Sequence, residues 1–115
     1  MILNLMQSLP VTKWQVAFEQ ITKRYAAADV IMRQTEFGSK QPQLLLWRTP
    51  LRRIRLDMMP PNQGVTIVAG PHPPFIEVPL GPIVQIRLKL AADQSLDFLR
   101  FYASDGTISQ LIFKH

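Results

Sequence analysis

The sequence predicts one α+β domain in which an N-terminal amphipathic helix packs on a curled, mostly antiparallel sheet of about six or seven strands. Three observations predict this class. Apolar residues recur at steps of three and four before residue 29, and they alternate with polar residues after it. The length of 115 residues is typical of one hydrophobic core, so residues 1–115 are expected to form a single domain.

The helix is expected from about Thr12 to Ala28. Its apolar side chains follow the 3.6-residue period and form one stripe along the helix. The stripe consists of Val11, Trp14, Phe18, Ile21 and Tyr25. Most of the remaining positions are polar or charged, which indicates a helix with one side against the sheet and the other in solvent.

The first strands are expected at 29–37, 44–48, 53–58 and 65–69, where apolar and polar side chains alternate. The stretch 60–82 interrupts this pattern because it holds seven of the ten prolines. Proline has no N–H for a central ladder, so most of this stretch should be loop or edge strand.

Three more strands are expected at 83–90, at 95–103 and after the Asp105-Gly106 pair. Asp-Gly between alternating apolar runs is typical of a two-residue hairpin loop. Such a loop would place Ala103 opposite Ile108, and Phe101 opposite Gln110.

This order of one helix followed by strands resembles two architectures, the cystatin-like fold and the small lipocalin-like barrel. The resemblance is one of architecture, and architecture does not determine function.

The sequence contains no signature of catalysis, and we predict that the protein is not an enzyme. The absence of cysteine rules out disulfides, thiolate metal ligands and thiol nucleophiles. The histidines are His72, between prolines, and the terminal His115, and neither lies in a motif that supplies a nucleophile or an orienting partner. No acidic or histidine cluster suggests a metal site and no glycine-rich loop suggests a phosphate site, so no metal and no cofactor are expected.

A formal net charge of +5 and an isoelectric point near 10.1 favour an anionic partner. Arg53 and Arg55 share one strand face, as do Arg87 and Lys89. If those strands were neighbours, four cations would line one face of the sheet. A solvated outer face that discourages edge pairing is the alternative interpretation.

The proline-rich stretch offers apolar contacts as well. Met59, Pro73 and Phe75 lie in segments that cannot all pair into the sheet. Stiff segments lose little entropy when a partner docks on them. An equally good interpretation is that Phe75 and Ile76 fold back to cap the core and that the prolines only rigidify the loop.

The leading functional prediction is a non-enzymatic protein-binding module, an accessory subunit or assembly factor. It would hold a protein partner through the basic sheet face and the proline-rich loops, either alone or as a homo-oligomer, and an acidic partner would complement the cations. The alternatives are a nucleic-acid-binding domain that uses the same cations and a carrier of small apolar ligands. The residues MILNLMQSLP lack the features of a signal peptide, and no apolar run approaches the ~20 residues of a membrane helix. We therefore expect a cytoplasmic protein with no membrane span.

Overall fold

The structure is a computed structural model that describes residues 6–59 and 62–114, without the side chains at positions 58, 59, 62 and 63. It contains one short helix and one eight-stranded antiparallel sheet, which confirms the α+β class. The helix α1 is Trp14–Arg24, preceded by a 3-10 turn at Val11–Lys13. The strands are β1 Gln7–Leu9, β2 Asp29–Thr35, β3 Gln43–Met59, β4 Asn62–Ala69, β5 Ile76–Leu80, β6 Ile83–Leu90, β7 Leu96–Ala103 and β8 Ile108–Phe113.

The strands lie in the order β1-β6-β7-β8-β2-β3-β4-β5, and each neighbouring pair is antiparallel. The sheet is open, with β1 and β5 at its edges, so it does not close as the lipocalin-like plan requires. It has more strands than the six or seven predicted because β1 and β5 were not anticipated. The edge position of β5 explains how it accommodates Pro79.

Strand β3 is a single bent strand where the sequence suggested two. Its first part pairs with β2 and its second part with β4. Pro50 faces Asp29 at the end of the β2 ladder, so it does not interrupt the strand. The register between β2 and β3 shifts twice, at Trp47–Arg48 and at Leu45, and the register between β3 and β4 shifts once, between Leu51 and Arg53. Such irregularities bend a strand and increase its twist, which lets this sheet curl around α1.

Helix α1 packs against the concave inner face of the sheet. Trp14 and Phe18 are buried in the core, and Trp14 Nε1 donates a hydrogen bond to the Leu9 carbonyl of β1 at 3.0 Å. The Thr22 hydroxyl accepts from Ile54 N of β3 at 3.1 Å, and the Tyr25 hydroxyl accepts from Leu96 N of β7 at 2.8 Å. The helix is therefore anchored to strands on several sides of the curl.

The helix is shorter than the predicted range of residues 12–28. It ends at Arg24, and Ala27 adopts a positive φ of 67° while its N–H donates to the Leu51 carbonyl at 2.7 Å. This bond diverts the chain from the helix axis toward β3. At the other end, Val11 belongs to the 3-10 turn and stays half exposed.

The predicted register of the last hairpin is wrong by one residue. Tyr102 pairs with Ile108 and Phe101 with Ser109, while Ala103 N donates to the Thr107 carbonyl at 2.9 Å. The loop therefore has three residues, and Gly106 takes a φ of +90°. Three-residue loops with a glycine in the left-handed region are the next most common hairpin connection after the two-residue type.

Candidate binding face

The side of the sheet away from α1 carries three parallel rows of side chains across β6, β7, β8 and β2. We call these twelve positions the outer face. The central row, here the arginine row, is Arg87, Arg100, Gln110 and Arg33. One flanking row is Lys89, Phe98, Ile112 and Ile31, and the other is Gln85, Tyr102, Ile108 and Thr35. Each row joins residues directly opposite one another on neighbouring strands, so the rows follow from the register itself.

The local sequence explains why these side chains point outward. In β7 the buried residues Leu99 and Phe101 belong to the core, so Phe98, Arg100 and Tyr102 project to the other side. The same alternation holds in the remaining strands of the face. Core residues Ile86 of β6, Leu111 of β8 and Met32 of β2 direct their neighbours outward.

The arginines of the row have no carboxylate partner among the residues that the structure describes. Arg87 lies between Ser8 and Arg100, and Arg33 lies between Gln110 and Leu44. Arg87 Nε is buried and has no hydrogen-bond partner within that same part of the chain. Like charges directly opposite each other destabilise a sheet. The row is therefore a cluster of positive charge that no carboxylate of residues 6–59 and 62–114 neutralises.

Aromatic rings flank the arginine row on both sides. The guanidinium carbon of Arg100 lies 5.0 Å from the centre of the Phe98 ring, and Lys89 Nζ lies 6.0 Å from it. These distances are those of cation–π contacts. Tyr102 lies on the other side of Arg100 along β7 and is partly exposed. The only carboxylate that contacts a cation of the outer face in the described chain is Asp97, at 4.0 Å from Lys89.

The β3 side of the outer face ends in the exposed side chains of Leu44 and Trp47, whereas Ile31 beside them is buried. Ile31 faces the irregularity of β3 formed by Trp47 and Arg48, and Arg33 faces Leu44. Trp47 is 58% exposed, and the Arg48 guanidinium lies 5.5 Å from its ring. This end adds a further ring and a further cation to the surface.

The structure separates the four cations that the sequence grouped together. Arg87 and Lys89 lie on the outer face, but Arg53 and Arg55 lie on β3, and β7, β8 and β2 stand between β6 and β3. The condition for a single row of four, neighbouring strands, is not met. Strand order is a long-range property that alternation along one strand does not reveal.

Arg55 differs from the arginine row because it already has anionic partners. Its Nε lies 2.9 Å from Asp57 Oδ1, and its Nη1 lies 3.1 Å from Glu77 Oε1. The hydrogen bond to Asp57, followed by that to Glu77, raises the pKa of Arg55 above its usual value. The Thr66 hydroxyl donates to Asp57 Oδ2 at 2.7 Å, and this bond, with a smaller effect of Arg55, lowers the pKa of Asp57.

The predicted apolar contacts lie far along the sheet from the outer face. Pro73 and Phe75 belong to the loop that connects β4 to β5, and Phe75 is 38% exposed. Arg52 holds this loop: its Nε donates to the Gly70 carbonyl at 2.7 Å and its Nη2 to the Pro71 carbonyl at 2.8 Å. Its guanidinium also lies 5.3 Å from the Phe75 ring. Met59 ends β3, and its side chain lies outside the described residues.

Grooves lie on two sides of the helix in the part of the chain that the structure describes. The larger, of about 290 Å³, lies between α1 and β6 and is mainly apolar, with Ile21, Leu88, Leu90 and Leu96 in its wall. The other, of about 240 Å³, lies between α1 and the second half of β3. Residues 6–59 and 62–114 contain no group of three or more histidine and acidic side chains placed to hold a metal ion. In the same ranges, no helix has the length and apolar character needed to cross a membrane.

Comparisons with protein-family models, with curated proteins and with solved structures found no match for this chain. Its function is therefore inferred from its own geometry.

Proposed function

We propose that the protein is a non-enzymatic binding module whose outer face binds an extended anionic partner. The observation that carries this proposal is the arginine row, three guanidinium groups in register whose cross-strand neighbours are uncharged or are themselves arginine. Arg55 provides the contrast within the same chain, because two carboxylates already satisfy it. A bound anion would give the arginine row the negative charge that the carboxylates of Asp57 and Glu77 give Arg55.

The dimensions of the row suit an extended ligand. Neighbouring strands lie about 4.8 Å apart, so a chain that crosses from β6 to β2 passes Arg87, Arg100 and Arg33 within about 14 Å. Lys89 and Arg48 border the same path. The net charge of +5 adds a long-range attraction that speeds the association of an anionic partner. An acidic segment of a protein and a nucleic acid both present repeated anions on this scale.

A binding assay with two charge-matched variants tests the proposal. The face variant carries Arg33→Glu with Arg100→Gln, and the control carries Arg53→Glu with Lys13→Gln, so both lose the same amount of positive charge. Lys13 and Arg53 are exposed and lie away from the outer face. The probes are a fluorescein-labelled polyglutamate peptide and a fluorescein-labelled oligothymidylate, measured by anisotropy at low salt.

The wild-type protein should bind at least one probe, with an affinity that falls as salt rises, by a logarithmic slope of about 0.7 for each phosphate neutralised on a single strand. The face variant should lose at least tenfold more affinity than the control. Equal losses in the two variants would show that net charge alone drives binding, and the proposal would then be wrong. Failure of both probes to bind the wild-type protein would reject it outright.

A second candidate function is the docking of a protein partner on the loop between β4 and β5, as the sequence suggested. The observation that favours it is the fastening of this loop by Arg52, which holds Phe75 partly exposed in an ordered segment. A loop that is ordered before binding loses less entropy when a partner docks. A partner that copurifies in stoichiometric amount should be lost on Phe75→Ala and kept on Phe37→Ala, which removes a ring that is 82% exposed elsewhere. Equal recovery with both variants would exclude the loop.

A further inference from the structure

The outer face combines arginines that have no carboxylate partner among the described residues with aromatic rings and uncharged hydrogen-bonding groups. Phe98 and Tyr102 lie four residues apart on β7, which places them about 13 Å apart along the strand, with Arg100 between them. Gln85, Gln110 and Thr35 lie among these groups and can donate or accept hydrogen bonds. A partner with repeated anions would account for the cations of the outer face, but it would not account for the aromatic rings of Phe98 and Tyr102 beside them.

We infer that the anionic partner is a single-stranded nucleic acid, with its phosphates along the arginine row and bases stacked on Phe98 and Tyr102; this inference rests on the proposed function of the outer face. Proteins that bind single strands combine a basic track for the backbone with aromatic side chains for the bases. Guanidinium planes also stack on bases, so the Arg100–Phe98 pair extends the stacking surface.

An acidic protein segment and a nucleic acid differ in the groups that they can offer to the outer face. An acidic protein segment offers carboxylates to the arginines but no repeated planar ring to match Phe98 and Tyr102. A nucleic acid offers an anion and a planar ring in every unit. A duplex keeps its bases stacked inside, so their faces are closed to side chains on a sheet, and an unpaired strand is the form that fits. Trp47, exposed beside Arg48 at the β3 end, continues the same alternation of ring and cation.

The test compares four probes of equal formal charge under one salt condition. They are an oligothymidylate, an abasic phosphodiester oligomer without bases, a polyglutamate peptide and a short DNA duplex. The wild-type protein should bind the oligothymidylate at least tenfold more tightly than the abasic oligomer. Phe98→Leu and Tyr102→Leu should each weaken oligothymidylate binding by about 5- to 150-fold, the range for loss of one stacked base. Neither should change the affinity for the abasic oligomer.

Phe75→Leu is the matched control, because Phe75 also lies under an arginine, Arg52 at 5.3 Å, but in the loop between β4 and β5. It should leave all four affinities unchanged. A second measurement needs no variant: a 4-thiouridine oligonucleotide irradiated with the wild-type protein should crosslink to the peptide that contains residues 98–102. Crosslinks confined to the 70–75 loop would overturn the inference even if Phe98→Leu failed to fold.

The affinities for the four probes distinguish failure of base stacking from failure of the proposed anion binding. Equal affinity for the oligothymidylate and the abasic oligomer would refute base stacking, while the outer face would still bind anions as the proposed function requires. Tighter binding of polyglutamate, with no effect of Phe98→Leu, would identify an acidic protein as the partner and refute the inference. Tighter binding of the duplex would refute the single-stranded form. Binding to none of the probes would refute the proposed function and the inference together.

Discussion

Replacing Arg87 with methionine should make the free protein more stable while it weakens binding. Arg87 faces Arg100 across the β6–β7 ladder, and its Nε is buried without a partner in the described chain. A like-charge cross-strand pair costs up to about 1 kcal/mol, and a buried unpaired donor costs about 1–3 kcal/mol. Methionine removes both costs and keeps most of the aliphatic packing. Because Arg87 stays partly exposed, the lower end applies, and a gain of about 1 kcal/mol in the free energy of unfolding is expected.

For a chain of this length, a gain of about 1 kcal/mol corresponds to about 4 °C in Tm. Thermal unfolding in 20 mM and in 1 M sodium chloride checks the cause, because high salt screens the repulsion between the two arginines. The gain should therefore shrink in high salt. Arg53→Met is the control, since Arg53 faces Val68 rather than another cation, and its Tm should hardly change. A loss of stability in Arg87→Met would show that Arg87 serves the fold, and the account of the arginine row would fail.

Three further predictions concern the scaffold. Gly106→Ala should lower the free energy of unfolding by about 1–3 kcal/mol, because Gly106 has a φ of +90° and a Cβ there would lie 2.7 Å from Phe37 Cδ2. Chemical denaturation measures this loss. Adding Phe37→Ser to Gly106→Ala should restore only part of the lost stability, because the double variant keeps the unfavourable φ at residue 106. Thr66→Val should destabilise the protein at neutral pH, because the Thr66 hydroxyl is the main cause of the lowered pKa of Asp57. A carboxylate with a lowered pKa stabilises the fold above its unfolded pKa of 3.8 and loses that effect as the pH falls through its folded pKa. The difference in the free energy of unfolding between wild type and variant, measured in urea, should therefore narrow below about pH 4, and a difference independent of pH would contradict this. Arg52→Ala should release the loop at residues 70–75 and increase the rate at which a protease cleaves it in limited proteolysis. The control variant Arg53→Ala should not change that rate. Equal cleavage rates in the two variants would show that Arg52 does not hold the loop.

Local patterns in the sequence were enough to predict the class and most elements. The alternation in β6 predicts a strand at 83–90, and the structure has it at Ile83–Leu90. The apolar stripe identifies α1 and its buried residues Trp14 and Phe18. Such patterns work because each reports a local period, and each period belongs to one kind of element. The ends of α1 were less predictable, since a hydrogen bond between Ala27 and Leu51, distant in sequence, ends it.

The site was predicted only in part, for a physical reason. Arg87 and Lys89 were identified as an outward-facing pair, but Arg33 and Arg100 join them only because β2 pairs with β8 and β7 pairs with β6. Those pairings depend on the whole arrangement of the sheet. A signal for half of the site was present in the hairpin that joins β6 to β7, because its turn brings Arg100 opposite Arg87. The position of β2 between β8 and β3 has no comparable local signal.

An amide chemical-shift titration of the labelled protein with oligothymidylate identifies the surface that binds a single strand, because it reports on every β-strand of the sheet at once. We expect the largest shifts on the outer face, at Arg33, Arg87, Phe98, Arg100 and Gln110, with the 70–75 loop and the second half of β3 unchanged. Shifts centred on Arg52 and Phe75, or the absence of any shift at low salt, would contradict this expectation.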